Sequence, residues 1–160
     1  MIHKISQNVS QLYFDTFGST VYILKLGKNI LIDTSSEDNR EELIRDLKEL
    51  KLNPEDINII ILTHSHWDHT GNLNLFKNAK IITSKNIEEL PEEIKPIKTP
   101  GHTKDSLCFL YKDILFSGDT IFHGKARGRT DLEGGNEKQI QESIKKLKTI
   151  KYNILCPGHI

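Results

Sequence analysis

The chain has 160 residues, of which 36% are hydrophobic and 28% are charged, and its 22 basic and 22 acidic side chains cancel. This length and composition suit one globular domain, which we expect to cover residues 1–160. A net charge of zero, with one short basic cluster at residues 125–129, argues against nucleic-acid and membrane partners, because both are usually recognised through an extended basic surface.

The cellular compartment is predicted from what the sequence lacks. Residues 1–10 contain no apolar core of the kind found in signal peptides, and no apolar run approaches the roughly 20 residues that span a bilayer. Cys108 and Cys156 are too few to form a disulfide framework, so we expect a cytoplasmic protein. Cys108 lies in the apolar segment SLCFLY, and we expect it in the core.

The first half of the chain alternates between strand and helix patterns. Residues 20–34 predict a β-hairpin that turns through residues 27–29. Residues 37–50 predict an amphipathic helix with Leu43, Leu47 and Leu50 on one face. Asn53 then caps a short turn that starts with Pro54. Residues 57–62 form an uncharged run that is typical of a strand buried on both faces.

The second half predicts more strands and one further helix. Short apolar runs at residues 79–84, 94–102, 106–111, 113–119 and 153–159 predict strands, most of which end near glycine or proline. Residues 136–150 predict a helix that Asn136 caps, with Ile140, Ile144 and Leu147 on its apolar face. This order of elements favours a sheet-rich, layered α/β domain.

The densest group of polar residues is THSHWDHTG, residues 63–71, directly after the apolar run. In an extended strand, alternate side chains point the same way, so His64, His66 and Asp68 are expected to converge, and His69 is expected to join them where the chain turns. A buried cluster of this kind is costly unless it is paired or binds a metal. The segment therefore predicts a metal site.

Three later segments repeat the pattern of a strand, a glycine and a residue that can bind metal. They present His102 in TPGHT, Asp119 in LFSGDT and His159 in CPGH. Together with the first segment they supply five histidines and two aspartates, enough for two metal ions with a shared carboxylate and an open position for water. Nitrogen and carboxylate ligands suit zinc, iron or manganese.

These motifs resemble the metallo-β-lactamase superfamily, whose members share an H-x-H-x-D-H motif followed by separate His, Asp and His loops. THSHWDHTGN, TPGHTKDS, FSGDTIF and PGH most resemble the glyoxalase II-like branch, the hydroxyacylglutathione hydrolases, and GRTDLEGGN resembles its short, single-domain members. The resemblance implies an αββα sandwich with the metal site at one edge of its two sheets. The helical C-terminal domain of full-length glyoxalase II is expected to be absent.

The resemblance also implies a role for each ligand. The first metal ion would be held by His64, His66 and His102, the second by Asp68, His69 and His159, and Asp119 would bridge them. Asp68 and Asp119 are the expected catalytic residues, and two divalent ions are the expected cofactors, with zinc ahead of iron or manganese. Asp33 in LIDT matches a position that supports the histidine loop; a turn-capping role is the alternative.

The expected activity is hydrolysis of a small-molecule thioester. Bound metal lowers the pKa of water to about 7, which makes hydroxide available at neutral pH. Lys125, Arg127 and Arg129 could hold a substrate carboxylate, although Arg129 could equally form an ion pair with Asp131.

The same ligand residues leave other functions open. A persulfide dioxygenase would hold one iron ion through His64, His102 and Asp119. A lactone or ester hydrolase is a third possibility. A non-catalytic module is disfavoured, because a structural site needs four closed ligands rather than seven around an open position. The sequence does not determine the oligomeric state.

Overall fold

A computed structural model describes the backbone of residues 1–160 and every side chain except that of Lys125. The chain divides into two compact units, Met1–Ile82 and Thr83–Ile160. Each unit is built on its own mixed β-sheet. The expectation of a single domain over residues 1–160 stays a prediction.

The first unit contains a six-stranded sheet in the order β1-β2-β3-β4-β5-β6. The first four strands pair antiparallel, and β4, β5 and β6 pair parallel. The strands are β1 (Ile2–Lys4), β2 (Val9–Leu12), β3 (Val21–Lys25), β4 (Asn29–Ile32), β5 (Ile59–Ile61) and β6 (Lys80–Ile82). The α-helices are α1 (Arg40–Glu49) and α2 (Trp67–Thr70), and 3-10 turns occupy Glu37–Asn39, Pro54–Asp56 and Leu73–Leu75.

Helix α1 covers one face of this sheet, as its amphipathic pattern predicts. Leu43 and Leu47 lie four residues apart and therefore share a helix face. Both are fully buried in a cluster that includes Ile23 of β3, Leu31 of β4 and Ile60 of β5. Burial of this apolar face is the main stabilising contribution that the helix makes.

The parallel pairing of β4 and β5 positions the polar residues that follow them. Ile32, the last residue of β4, pairs with Ile61, the last residue of β5. Asp33, which follows β4, therefore lies at the same edge of the sheet as the start of the segment that carries His64.

The second unit contains a four-stranded sheet in the order β10-β9-β8-β7. Its elements are β7 (Ile94–Lys98), β8 (Leu107–Tyr111), β9 (Ile114–Gly118), β10 (Ile154–Pro157) and α3 (Glu137–Leu147), with 3-10 turns at Ile87–Glu89 and His123–Lys125. Asn136 caps α3 as predicted, because its side chain accepts a hydrogen bond from the Gln139 amide at 3.0 Å. Leu147 of α3 packs against Cys108 of β8 and Leu115 of β9.

Three strands of the second sheet run in the same direction. Strands β7 and β9 both pair antiparallel with β8, and β10 pairs parallel with β9. The carboxyl ends of β7, β9 and β10 therefore lie at one edge of the sheet. His102, Asp119 and His159 follow these three ends.

The predicted strands and both long helices are present, with shifts of a few residues at their ends. The sequence did not predict β1 and β2, because IHK and VSQL mix polar and apolar residues and form no apolar run. Cys108 is buried, and burial raises the pKa of its thiol to about 11, so the expectation of a core cysteine is confirmed. No helix in the described part of the chain has the length and apolar character needed to cross a membrane.

The packing of α1 predicts a difference between two of its apolar side chains. Leu47→Ala should lower the free energy of unfolding by about 2–5 kcal/mol, because it leaves a cavity in a fully buried cluster. Ile44→Ala is the matched control on the same helix: Ile44 is 36% exposed, and we expect a much smaller change, within about 1 kcal/mol. Urea unfolding followed by circular dichroism measures both variants. Equal losses would contradict this account of the helix face.

Candidate metal centre

The first ligand cluster consists of His64, His66, Asp68 and His69, which follow β5. His64 and His66 lie in an irregular segment, and the chain turns into α2 at Trp67, where the His69 amide bonds to the His66 carbonyl at 3.0 Å. The prediction that Asp68 converges by strand alternation is therefore wrong. The alternation ends with the strand, and the helical turn brings Asp68 and His69 into the cluster instead.

The imidazole and carboxylate groups of this cluster are close together and mostly buried. The distance between His64 Nε2 and His66 Nδ1 is 3.1 Å, and His69 Nε2 lies 3.8 Å from Asp68 Oδ2. His64, Asp68 and His69 are all less than 8% exposed. Burying several imidazoles and a carboxylate together is costly unless their charges are paired or they bind a metal ion.

The carboxylate of Asp33 supports this cluster through hydrogen bonds to Thr63 and His69. It accepts hydrogen bonds from the Thr63 amide at 2.9 Å, the Thr63 hydroxyl at 2.8 Å and His69 Nδ1 at 2.8 Å. Asp33 is 2% exposed and has a φ angle of 60°, which is uncommon for a residue other than glycine. Its contacts fit the role of supporting the histidine loop, the first of the two roles considered for it.

The same contacts assign the protonation pattern of two imidazoles. Because the Thr63 hydroxyl donates to Asp33, His64 Nδ1 donates to the Thr63 oxygen, 3.0 Å away. His69 Nδ1 donates to the Asp33 carboxylate. Neutral His64 and His69 therefore each present an unprotonated Nε2 to the cluster, which is the form that binds a metal ion.

Residues that the sequence analysis missed hold the backbone of this loop. The Thr34 amide donates to the His69 carbonyl at 2.8 Å. The buried Asn72 amide group donates to the Thr34 and Ser36 carbonyls at 2.9 and 2.6 Å. Gly71 lies so close to this segment that an added Cβ would be 2.5 Å from the Glu37 nitrogen. The polar TGN run directly after the ligand motif is a signal in the sequence for Gly71 and Asn72, but not for Thr34.

The second ligand cluster consists of His102, Asp119 and His159. Asp119 Oδ2 lies 3.5 Å from His102 Nε2 and 3.4 Å from His159 Nε2. The His102 ring is buried and the His159 ring is 25% exposed. His102 Nδ1 donates to the Arg129 carbonyl at 2.8 Å, so in the neutral imidazole Nε2 is the atom that can bind a metal ion.

The donor atoms of both clusters fit a divalent metal ion. Two atoms that each lie about 2.1 Å from a tetrahedral ion are separated by about 3.4 Å. The two distances from Asp119 Oδ2, and the 3.1 Å between His64 and His66, are close to that separation. Imidazole nitrogen and carboxylate oxygen are ligand types that zinc, iron and manganese accept.

Gly128 allows the close packing around Asp119 and His102. A Cβ at this position would lie 1.9 Å from the Asp119 carbonyl oxygen and 3.0 Å from His102 Nδ1. Only glycine therefore lets the neighbouring Arg129 carbonyl reach the imidazole. The sequence analysis did not identify this role.

The basic residues predicted to contact substrate are engaged elsewhere or lie outside the described side chains. Arg129 forms two hydrogen bonds to Asp131, at 2.7 and 2.6 Å, and hydrogen bonding to the guanidinium lowers the pKa of that carboxyl to about 2. Arg127 pairs with Glu137 at 2.8 Å. The Lys125 side chain lies outside the described part of the structure. The alternative of an ion pair for Arg129 is thus observed, and substrate contact by all three residues stays a prediction.

The contacts of Asp33 predict a selective loss of metal affinity. Asp33→Asn should weaken metal binding about 10–100-fold, because the amide has one acceptor oxygen and its NH₂ group would face the donors Thr63 and His69. Titration calorimetry with Zn²⁺ measures the change. Asp131→Asn is the control, since Asp131 is exposed and bonds to Arg129 alone among the described side chains, and it should bind zinc as the unmodified protein does. Unchanged affinity in Asp33→Asn would contradict the assigned role.

Comparison with known proteins places the chain in a family. The family model described as metallo-beta-lactamase superfamily matches residues 14–94 and 83–159. A probable metallo-hydrolase of Methanocaldococcus jannaschii is 35% identical over 143 residues, which cover 81% of this chain and 70% of that protein. Both comparisons indicate the same metal-dependent class.

Two further similarities concern the branch and the fold. The hydroxyacylglutathione hydrolase of Hydrogenovibrio crunogenus is 32% identical over 110 residues, which cover 57% of this chain and 40% of that enzyme. The crystal structure of the BLEG-1 B3 metallo-beta-lactamase has a TM-score of 0.77 at 23% identity, with 95% of this chain and 91% of that chain covered. The predicted α/β fold of the metallo-β-lactamase type is confirmed. The chain belongs to the metallo-β-lactamase superfamily.

Proposed function

We propose that the first and second ligand clusters act together as a binuclear metal centre and that the protein hydrolyses a small-molecule thioester. The observation that supports this proposal most directly is that three buried imidazoles share one hydrogen-bonding pattern. His64, His69 and His102 each donate from Nδ1 to an oxygen acceptor of the protein, so each presents Nε2 for coordination. Family membership supports metal-dependent hydrolysis as the reaction class.

Asp119 is the proposed bridge between two ions. Its carboxylate oxygen Oδ2 lies 3.5 Å from His102 Nε2 and 3.4 Å from His159 Nε2, close to the distance between two ligands of one metal ion. The family resemblance assigns His102 and His159 to different metal ions. Two divalent ions, with zinc as the expected metal, would supply a nucleophilic water at neutral pH and polarise the acyl carbonyl. Asp68 and Asp119 would offset part of the positive charge while the centre stays electropositive.

A thioester can be hydrolysed at the proposed centre without a further acidic group. Thiols have a pKa near 8.5, so a thiolate leaves without a strong general acid. The reaction therefore needs a metal-activated nucleophile more than a proton donor. The relative in Hydrogenovibrio crunogenus is a hydroxyacylglutathione hydrolase, which supports a thioester among the possible substrates. The match covers 40% of that enzyme, and its substrate comes to this chain only as part of our proposal.

The support given to His69 favours hydrolysis over persulfide oxidation. A mononuclear iron site would need only His64, His102 and Asp119 as ligands. Yet His69 is fully buried and held by the same carboxylate that positions His64 through Thr63. A second metal position explains why this imidazole is oriented as firmly as the first.

Metal content and paired assays test the proposal. We expect about two metal equivalents in protein purified without added metal, hydrolysis of a hydroxyacylglutathione thioester, and no oxygen uptake with glutathione persulfide. One iron equivalent together with persulfide-dependent oxygen uptake would replace the proposal with the dioxygenase. Hydrolysis of lactones or simple esters without thioester hydrolysis would change the substrate class.

A substitution of Asp119 tests the bridging role. Asp119→Ala should lower kcat by at least about 100-fold, more than any other single change of a ligand, and should reduce the metal content, because Asp119 is proposed to contact both ions. His123→Ala is the control for metal content, since His123 belongs to neither ligand cluster; it should keep its full metal content and lower kcat modestly at most. Metal analysis and steady-state kinetics measure both variants. Two retained equivalents with near-native turnover in Asp119→Ala would rule out a binuclear reaction centre.

A further inference from the structure

A cavity of about 500 Å³ lies within the second unit. Its wall combines three elements: the segment after β9, helix α3 and strand β10. They contribute Ile121 and Phe122, Ile144 and Leu147, and Leu155. This volume falls within the range of about 300–1,000 Å³ that small-molecule sites occupy.

The wall of the cavity is mainly apolar. Seven of its ten described residues are hydrophobic or glycine, and His123, Lys148 and Tyr152 are the polar ones. A peptide-like thiol such as glutathione would have to bury amides and carboxylates against this wall with few partners, which is costly. A hydrocarbon chain carries no such cost and gains free energy when it leaves water.

Phe122, which lines the cavity, also contacts the second ligand cluster. Phe122 follows Asp119 by three residues, and Leu155 precedes His159 by four. The rings of Phe122 and His159 also meet edge to face, with centroids 6.1 Å apart. A group that fills the cavity therefore lies against a side chain that contacts a proposed metal ligand.

We propose that this cavity binds the acyl chain of the substrate, so that the protein prefers thioesters with linear apolar acyl groups over acetyl thioesters. This assignment rests on the proposed hydrolysis. The acyl carbonyl would be at the metal centre, the chain would extend past Phe122 into the cavity, and the thiol would remain outside it. Selectivity for chain length then comes from the walls formed by α3 and β10.

Two substitutions fill the cavity from different elements. Ile144→Trp adds bulk from α3, and Ala126→Phe adds it from the segment after β9, so a failure of either variant to fold leaves the other as the test. Glu142→Trp is the matched control, because it places the same indole on an exposed position of α3. None of these residues belongs to a ligand cluster.

The first measurement is turnover of acetyl to decanoyl thioesters of N-acetylcysteamine. For the unmodified protein and Glu142→Trp we expect kcat/KM to rise by up to about fourfold per methylene until the cavity is full. In the filled variants this rise should be lost, so that kcat/KM no longer increases with the length of the acyl chain. Equal chain-length profiles in a folded filled variant and the control would overturn the acyl assignment.

The second measurement is binding of 1-octanol by titration calorimetry, which needs no turnover. We expect binding with a negative heat-capacity change in the unmodified protein and the control, and at least tenfold weaker binding in the filled variants. No thioester turnover together with octanol binding would overturn the proposed hydrolysis and the acyl assignment with it. Thioester turnover without chain-length preference or octanol binding would overturn the cavity proposal alone.

Discussion

The first ligand cluster depends on one buried carboxylate. Asp33 accepts three hydrogen bonds, two from Thr63 and one from His69. Through them it sets the orientation of His69 directly and that of His64 by way of the Thr63 hydroxyl. The left-handed backbone at Asp33 costs on the order of 1 kcal/mol, and the charge-assisted hydrogen bonds offset that cost.

Asp33 can hold this position because of the pairing of β4 and β5. Parallel strands in register bring both carboxyl ends to the same edge, so the residue after β4 meets the segment after β5. The second unit repeats the principle with β7, β9 and β10, whose carboxyl ends present His102, Asp119 and His159. In both units the sheet forms the scaffold and the loops carry the candidate ligands, which is the usual division between scaffold and site.

Arg129 shows why the type of a side chain can mislead. Its guanidinium suggested contact with a substrate carboxylate, but it bonds to Asp131 at the surface. Its backbone carbonyl makes the contact that matters to the site, since it accepts a hydrogen bond from His102 Nδ1. Exposed pairs of this kind contribute little to stability, so the segment is defined mainly by the backbone approach that Gly128 permits.

The sequence by itself determined the candidate ligand residues, the long helices and most of the strands. Apolar runs and helical periodicity report burial directly, and HSHWDH concentrates metal-binding groups that a core would otherwise exclude. Only the tertiary structure decided how those groups are held. Strands β1 and β2 lack a periodic signal, Asp68 reaches its cluster through a helical turn, and Thr34, Asn72 and Gly128 act through backbone contacts between distant segments. Because nearly every residue carries a backbone amide and a carbonyl, contacts of this kind leave little pattern in the sequence.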